Sequence, residues 1–282
     1  MFFKNIAIIS SKKDVASLNI RDNLIKAFNF EEAGENFENN QVLVLKDKNS
    51  FNDLIIKIYT INDDSINAED IDKRINAELF VFITKHKSKS QIPSLCIHSP
   101  GNFGSAQLGG KPKQLCIAPA CYLKQGLKNL EILNTIGYDV VQEVTHHGPF
   151  LEKPVFFIEI GSTMKEWQNK EAGFIVANAL IKTLTETGDC ESAIGVGGPH
   201  TTPNFKKIVL NTNIGLGHVC AKYNLEDFDS EMLRQTFERT VPKPSYIILD
   251  WKGLGSHKQR IKSLVDEFSK THSIKVLKTK DF

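Results

Sequence analysis

Residues 155–167 read VFFIEIGSTMKEW, an apolar run that leads at once into the start of a helix. The branched and aromatic residues of 155–160 predict a buried β-strand. Thr163 and Glu166 then match the S/T-x-x-E capping box that begins a helix. An apolar stripe at helical spacing extends that helix over residues 164–185, with members at Trp167, Phe174, Ala177, Ile181 and Leu184. A strand joined so directly to a long helix is typical of α/β proteins.

The same alternation recurs along the whole chain. β-branched runs predict further strands at residues 6–9, 42–45, 54–59, 79–83, 95–98, 194–196, 208–210 and 246–250. Helical patterns lie at residues 17–28, 122–135, 231–239 and 257–269. No linker rich in proline, glycine or serine separates them. We predict an α/β fold in a single domain, residues 1–282, built as a three-layer α/β/α sandwich with a mixed, mostly parallel sheet.

The composition suits an ordered protein of the cell interior. Of the 282 residues, 41% are hydrophobic, which is enough for a large core. The N-terminal residues lack the features of a signal peptide, and no apolar run approaches the roughly 18 residues that a membrane span needs. Five cysteines form no CxxC pair and are odd in number, which argues against a disulfide framework. We expect a cytoplasmic protein without membrane contact.

The formal net charge is only +2, so any binding of nucleic acid must come from a local patch. Residues 252–282 offer one, with eight basic and three acidic side chains. A charge run is more often a solvated surface than a binding site, so charge alone does not identify a partner.

Four of the eight histidines lie within two residues of a glycine or proline in short polar motifs. They are His98 in HSPGNFG, His147 in HHGP, His200 in GGPH and His218 in GLGH. Glycine and proline set unusual turns, and histidine carries a proton near neutral pH or binds a metal. The pattern favours an enzyme.

Several candidate groups stand at the ends of predicted strands, namely His98, His146, His147, Glu159 and Asp250. Ligands of α/β sheets bind at the carboxyl ends of strands, so we expect these groups to meet at one edge of the sheet. If the strand persists over residues 140–147, Glu143 and His147 share one face while His146 points the other way. Glu143 and His147 could then bind zinc together or orient one another for acid–base work; the alternative is a turn histidine beside a capped strand end.

Glu159 is a carboxylate at the end of an otherwise apolar strand. If it is buried without a partner its pKa rises, as for a general base or a metal ligand, whereas pairing with a lysine would make it structural. Residues 195–203 match neither the GxGxxG nor the Walker spacing, and Pro203 opposes an immediate helix, so we expect no nucleotide cofactor. His86 and His272 stand in charged stretches that we expect to be exposed, and receive no role.

Together these motifs resemble the archaeal and plant type of D-aminoacyl-tRNA deacylase. The matching segments are residues 98–104, 143–149, 157–163 with Trp167, 195–200, 217–218 and 250–253, and they span nearly the whole chain. The resemblance implies hydrolysis of the ester between a D-amino acid and the terminal ribose of tRNA, a zinc requirement, and a phosphorylase/hydrolase-like fold. Thr201 and Thr202 depart from it, because an aromatic residue is expected after the motif histidine.

The residues receive roles on this basis. The metal ligands are expected among His98, Glu143, His147, His200 and His218. Glu159 or His146 would act as the base, with His147 beside them as a catalytic residue. The substrate would contact Asn102, Gly148, Gly197, Gly198 and Lys252. Lys111, Lys113 and the basic C-terminal stretch would hold the acceptor end of the tRNA.

Two other functions stay open on the sequence alone. One is a zinc-dependent amide or peptide hydrolase of related fold, which needs no basic surface. The other is a non-catalytic protein that binds the acceptor stem of tRNA and is unaffected by chelators. We expect a monomer with no obligate protein partner.

Overall fold

The structure, a computed structural model, describes residues 3–46 and 54–282. Eight α-helices lie within these residues: α1 Val15–Ala27, α2 Ile71–Arg74, α3 Ala120–Leu133, α4 Met164–Trp167, α5 Lys170–Glu186, α6 Pro203–Asn211, α7 Ser230–Glu238 and α8 Lys258–His272. The strands there are β1 Asn5–Ser11, β2 Phe30–Phe37, β3 Asn40–Leu45, β4 Ile55–Ile61, β5 Leu79–Lys87, β6 Ser94–His98, β7 Gly101–Asn102, β8 Gln114–Leu115, β9 Ala118–Pro119, β10 Asp139–Gln142, β11 Val155–Ser162, β12 Glu191–Val196, β13 Ile214–Cys220, β14 Thr240–Val241, β15 Tyr246–Leu249 and β16 Lys275–Lys278.

A mixed eight-stranded sheet forms the larger part of the fold, in the order β10-β6-β11-β5-β1-β4-β3-β2. Strands β11, β5, β1 and β4 run parallel to one another. Strand β6 runs antiparallel to β11 and has β10 parallel beside it, while β2 and β3 form an antiparallel edge. The predicted α/β class with a mixed, mostly parallel sheet is confirmed.

A second sheet is entirely parallel, in the order β13-β12-β15-β16. Helices α3 and α6 pack against one of its faces, and the apolar residues of α7 and α8 cover the other. This sheet therefore lies between two helical layers. The division into two sheets was not predicted, because hydrophobic patterns indicate that strands exist and do not indicate which strands pair.

Side-chain alternation gives the two faces of the large sheet different neighbours. On one face, Phe156 and Ile158 belong to the main core with the helices α1, α3 and α5. On the other face, Phe157 stacks on Phe82 in a smaller core, with ring centroids 4.7 Å apart. Beyond this smaller core the second face carries polar side chains, which form the site described below.

Two predicted elements differ from the structure. Residues 208–210 lie in α6 and not in a strand, and Pro203 is the first residue of that helix. Proline is tolerated there because the first helical N–H has no partner to lose, so the expectation that Pro203 opposes a helix was wrong. The predicted helix over 164–185 is two helices, since Asn169 caps a new one, and Phe174 is 50% exposed. The capping box of Thr163 and Glu166 is confirmed.

One disulfide links Cys121, in the first turn of α3, to Cys190, just before β12. The two cysteines are 69 residues apart, so only the folded chain brings them together. The sequence-based expectation against disulfides was wrong in this respect. The described helices also include none that is both long enough and apolar enough to cross a membrane.

Candidate active site

The site lies on the face of the large sheet that the long helices leave uncovered. Thr84 and Glu159 are paired neighbours on β5 and β11, and His86 lies two residues further along β5. His98, the last residue of β6, pairs with Phe157 on β11. Paired residues, and residues two apart, share a face of a sheet, so these side chains project to the same side. We had expected these side chains to meet at the carboxyl edge of the sheet. Because β6 runs antiparallel to β11, they meet over the face of the sheet instead.

Residues 143–148 bring two more histidines to this face. Strand β10 ends at Gln142, and His147 adopts a left-handed backbone with φ of 49°. The alternation predicted for residues 140–147 is therefore wrong, and His146 and His147 both approach His98, with ring centroids 4.3 and 4.8 Å from it. His200 adds a fourth ring, 4.6 Å from His146. We call His98, His146, His147 and His200 the histidine cluster.

Three rings of the cluster are held in the same way. The Nδ1 atoms of His146, His147 and His98 lie 2.8, 2.6 and 3.2 Å from backbone carbonyl oxygens. A carbonyl only accepts, so each Nδ1 carries a proton, and Nε2 of His146 and His147 keeps its lone pair. For His98, burial lowers the pKa, but the carboxylates of Glu159 and Glu143 outweigh burial and raise it above its usual value. One ligand atom from each of the three residues lies within 4.8 Å of the other two. Histidines that bind a metal are oriented by such contacts from the other ring nitrogen.

The protonation behaviour of two of these rings agrees with a ligand role. Burial and, after it, the neighbouring His98 lower the pKa of His147 to about 4. Burial and the neighbours His98 and His147 hold the pKa of His146 well below its ordinary value. Both imidazoles are therefore neutral at neutral pH and can donate a lone pair.

Glu143 is a buried carboxylate beside the cluster. Its Oε1 lies 2.9 Å from Nε2 of His200 and 3.2 Å from Nδ1 of His86, yet neither of its oxygens receives a well-directed hydrogen bond. Burial raises the pKa of Glu143, but the adjacent His200 and His86 outweigh burial and hold the pKa well below its usual range. Glu143, His146 and His200 form a second set of ligand atoms within 4.8 Å of one another.

Glu159 is also buried, and its two oxygens differ. The hydroxyl of Thr84 donates to Oε1 at 2.6 Å. The other oxygen, Oε2, lies 3.8 Å from Nε2 of His98 and 3.7 Å from Nδ1 of His86. The neighbours of Glu159 are thus a hydroxyl and two histidines, in place of the lysine that a structural role would have used. One oxygen stays available to a substrate or water.

His86 belongs to the site, although sequence reasoning gave it no role. Burial lowers its pKa, but the carboxylates of Glu143 and Glu159 outweigh burial and raise the pKa above its usual value. The charged residues around it had suggested exposure. The sequence does contain a signal for His86. If the strand predicted at residues 79–83 is continued to residue 86, alternation places Thr84 and His86 on the same face.

His218 lies outside the cluster, which corrects its place among the expected metal ligands. Its Nδ1 lies 3.1 Å from the hydroxyl of Thr145, and its Nε2 contacts the carbonyl oxygens of Cys116 and Arg239 at 3.0 and 3.2 Å. Both ring nitrogens are therefore occupied by protein partners. Through Thr145, His218 braces the segment that carries His146 and His147.

Comparison with known proteins supplies the context for this geometry. The sequence model of the D-aminoacyl-tRNA deacylase family matches residues 73–276. The chain belongs to the D-aminoacyl-tRNA deacylase family. It is 36% identical over 270 residues to the D-aminoacyl-tRNA deacylase of Thermococcus kodakarensis, covering 92% of this chain and 96% of the relative. It is 35% identical over 279 residues to the D-aminoacyl-tRNA deacylase of Archaeoglobus fulgidus, covering 97% and 96%.

A solved structure supports the fold of this deacylase family member. A crystal structure described as a conserved protein of unknown function matches with a TM-score of 0.88 and 31% sequence identity. The match covers 100% of this chain and 97% of the other. The arrangement of both sheets is therefore shared with an experimentally determined fold.

The glycines of the deacylase motifs serve contacts between loops. A Cβ on Gly148 would lie 2.0 Å from the backbone nitrogen of Gly110, and the N–H of Gly148 donates to the carbonyl of Leu108 at 3.0 Å. Asn102 donates to the carbonyl of Gly109 at 3.0 Å and so braces the same loop. These residues place Leu108 beside the histidine cluster.

The remaining predicted substrate residues of the deacylase lie farther out. Gly197 and Gly198 have φ of 97° and 85° and pack against Asp250. Lys252 lines a separate cavity of 590 Å³ together with Trp251. Lys111 lies over the ring of Phe150 at 4.4 Å, and Lys113 pairs with Asp229 at 3.0 Å.

Proposed function

We propose that this chain hydrolyses the ester between a D-amino acid and the terminal ribose of tRNA, releasing the free D-amino acid and tRNA. Family membership supports the reaction class. The observation that carries the site assignment is the environment of Glu159, a buried carboxylate with one oxygen held by Thr84 and the other facing His98 and His86. An aminoacyl ester is already reactive, so positioning a water and removing its proton supply much of what is needed.

We propose zinc as the cofactor of this site, held by His98, His146 and His147 with Glu143 and His200 beside them. The donor set fits, because Nε2 of His98 and both oxygens of Glu143 are buried without a hydrogen-bond partner. One ligand atom from each of His98, His146 and His147 lies within 4.8 Å of the other two, and Glu143, His146 and His200 meet the same limit. Bound zinc would supply a Lewis acid for the ester carbonyl.

Glu159 is the base in this proposal. His146 and His147 donate their Nδ1 protons in hydrogen bonds to backbone carbonyls, so their Nε2 atoms are free to serve as ligands. Oε2 of Glu159 takes a proton from water as the water oxygen bonds to the acyl carbon. The bond from that carbon to the ribose oxygen then breaks, and His86, beside both carboxylates, is positioned to pass a proton to the leaving oxygen.

Preference for the D-isomer rests on shape, because the two isomers carry the same groups. A cavity of 450 Å³ is lined by His146, His147, His200 and Glu159 and also by Leu108. Side chains that surround the ester restrict the direction in which the amino-acid side chain leaves the α-carbon.

The cavity around Trp251 and Lys252 is proposed to contact the acceptor end of the tRNA. Lys207 and Lys280 line it as well, and Lys278 lies 4.4 Å from the ring of Trp251. Lysines beside a half-exposed aromatic ring bind phosphates and bases without reading sequence. A local patch of this kind is sufficient for a protein whose net charge is only +2.

Parallel assays on D- and L-tyrosyl-tRNA, each with and without a chelator, test the proposal. We expect rapid release of D-tyrosine, little release of L-tyrosine, and loss of activity with the chelator that added zinc restores. Equal cleavage of both isomers would overturn the stereospecific function. Tight tRNA binding without cleavage would favour the non-catalytic alternative, and cleavage of small amides without tRNA would favour the peptide hydrolase.

A further inference from the structure

Two cavities meet at His86, which lines both of them. The first, of 450 Å³, also contains Glu159 and three residues of the histidine cluster. The second, of 320 Å³, contains Glu143 on its wall. Both volumes fall within the range of about 300–1,000 Å³ that small-molecule sites occupy. An ester placed at this boundary extends its acyl group to one side and its alcohol to the other.

Three apolar residues line the first cavity. They are Ile66, Phe157 and Leu108, and the side chain of Leu108 is 60% exposed. A large apolar side chain held in solvent at a cavity mouth is unfavourable without a ligand. Contacts within the protein fix the position of Leu108. Its carbonyl accepts a hydrogen bond from the N–H of Gly148, and the next residue, Gly109, packs directly on Ile66. We call this the acyl cavity.

The second cavity is lined by five hydroxyl-bearing residues, together with the carboxylates of Asp139 and Glu143 and with apolar side chains such as Ile92 and Val141; the five are Ser88, Ser90, Ser94, Ser162 and Thr201. The Oγ atoms of Ser88 and Ser90 lie 2.9 Å apart. Hydroxyls both donate and accept, as the ribose hydroxyls and base edges of a nucleoside require. We call this the hydroxyl cavity.

A lysine lies on the wall of the hydroxyl cavity. Lys206 of α6 lines it and pairs with Glu131 at 2.9 Å, with about a quarter of its side chain exposed. The next residue, Lys207, lines the separate cavity that holds Trp251. Helix α6 thus places one lysine at the hydroxyl cavity and the next at the cavity of the basic surface.

We propose that the terminal adenosine of the tRNA binds in the hydroxyl cavity, with its 5′-phosphate at Lys206, and that the D-aminoacyl side chain binds in the acyl cavity against Leu108. This assignment rests on the proposed function. It gives His86 its place, at the boundary where the ester bond breaks.

Isothermal titration with AMP, adenosine and D-tyrosinamide tests the assignment directly. In Ser90→Phe, the larger side chain at an exposed position on the cavity wall is intended to fill the hydroxyl cavity. We expect this variant to bind AMP at least tenfold more weakly and D-tyrosinamide within twofold of the unmodified protein. In Leu108→Trp we expect the reverse. Lys206→Glu is expected to weaken AMP at least fivefold and adenosine less than twofold, because only AMP carries the phosphate.

Ser263→Phe, at an exposed serine of α8, is the matched control and should change none of these affinities. Melting temperatures of all variants confirm that the fold is retained. The assignment is overturned if Ser90→Phe leaves AMP binding unchanged, if AMP does not bind, or if Ser90→Phe weakens D-tyrosinamide in place of AMP. Because titration does not require turnover, a protein that binds both ligands as expected but fails to cleave D-tyrosyl-tRNA contradicts the proposed function alone.

Discussion

Glu159 combines burial, a single donor on one oxygen and two histidines near the other. The amide of Glu159→Gln can still accept from Thr84, so the fold should persist while proton removal from water is lost. We expect a fall in kcat of at least about 100-fold, measured by single-turnover release of D-tyrosine from its tRNA. Thr84→Ser, which retains the hydroxyl, serves as the control. A loss below threefold in Glu159→Gln would remove Glu159 from the mechanism.

His218 links stability to pH, because burial lowers its pKa to about 4. In the unfolded chain this histidine binds a proton near pH 6.5, whereas in the folded protein it stays neutral until about pH 4. The free energy of unfolding therefore falls as the pH drops from 6.5 towards 4. Lowering the pH from 7.5 to 5 should reduce the free energy of unfolding of both proteins. The reduction should be about 2 kcal/mol smaller for His218→Gln than for the unmodified protein. Urea titrations at both values measure this. His272→Gln, at an exposed histidine, should show the unmodified slope; an identical slope in His218→Gln would contradict the prediction.

At the scale of elements, the site depends on two loops that touch through glycine. The Cβ of Gly148→Ala would overlap backbone atoms of Gly109 and Gly110, at 2.4 and 2.0 Å. Backbone cannot yield as a flexible side chain does, so the loop carrying Leu108 must shift away from His147. We expect a loss of roughly 2–3 kcal/mol in the free energy of unfolding, together with reduced activity on D-tyrosyl-tRNA.

Gly188→Ala provides the matched comparison for that loop contact. A Cβ at Gly188 meets nothing within 4 Å. Its thermal and urea unfolding should stay within about 0.5 kcal/mol of the unmodified protein. Equal stability of both alanine variants would show that the two loops do not depend on this contact.

Several elements were predictable because local signals dominate them. The capping box of Thr163 and Glu166, the apolar strand β11 and the helices α1, α3, α7 and α8 follow from patterns of a few neighbouring residues. Helix α6 was missed because a β-branched run within it resembled a strand and Pro203 was taken as a helix breaker. Tertiary packing outweighed the strand propensity of the β-branched run. Pro203 is tolerated because it occupies the first position of the helix.

For the molecule as a whole, the small net charge makes the local basic patch decisive for tRNA. The double variant Lys252→Glu with Lys280→Glu should weaken tRNA binding and lower the slope of log affinity against log salt by about two. Filter binding over a salt series measures the slope. Lys26→Glu with Lys153→Glu makes the same change in charge at exposed lysines away from the Trp251 cavity. Equal effects of the two double variants would indicate general charge attraction and no defined surface.

The amino-acid sequence by itself determined the α/β class, the order of most elements, the reaction class through its family motifs, and most of the polar residues that the site contains. These depend on local patterns and on residue identity.

Only the tertiary structure decided which groups meet. The antiparallel pairing of β6 with β11 placed the site on a sheet face and not at a sheet edge. The end of β10 at Gln142 and the left-handed backbone of His147 allow His146 and His147 both to approach His98, and strand β5 positions His86. His218 was excluded because its nitrogens bind Thr145 and two carbonyls. Strand direction, turn geometry and hydrogen-bond partners are set by contacts between residues distant in sequence, which the pattern of one strand cannot contain.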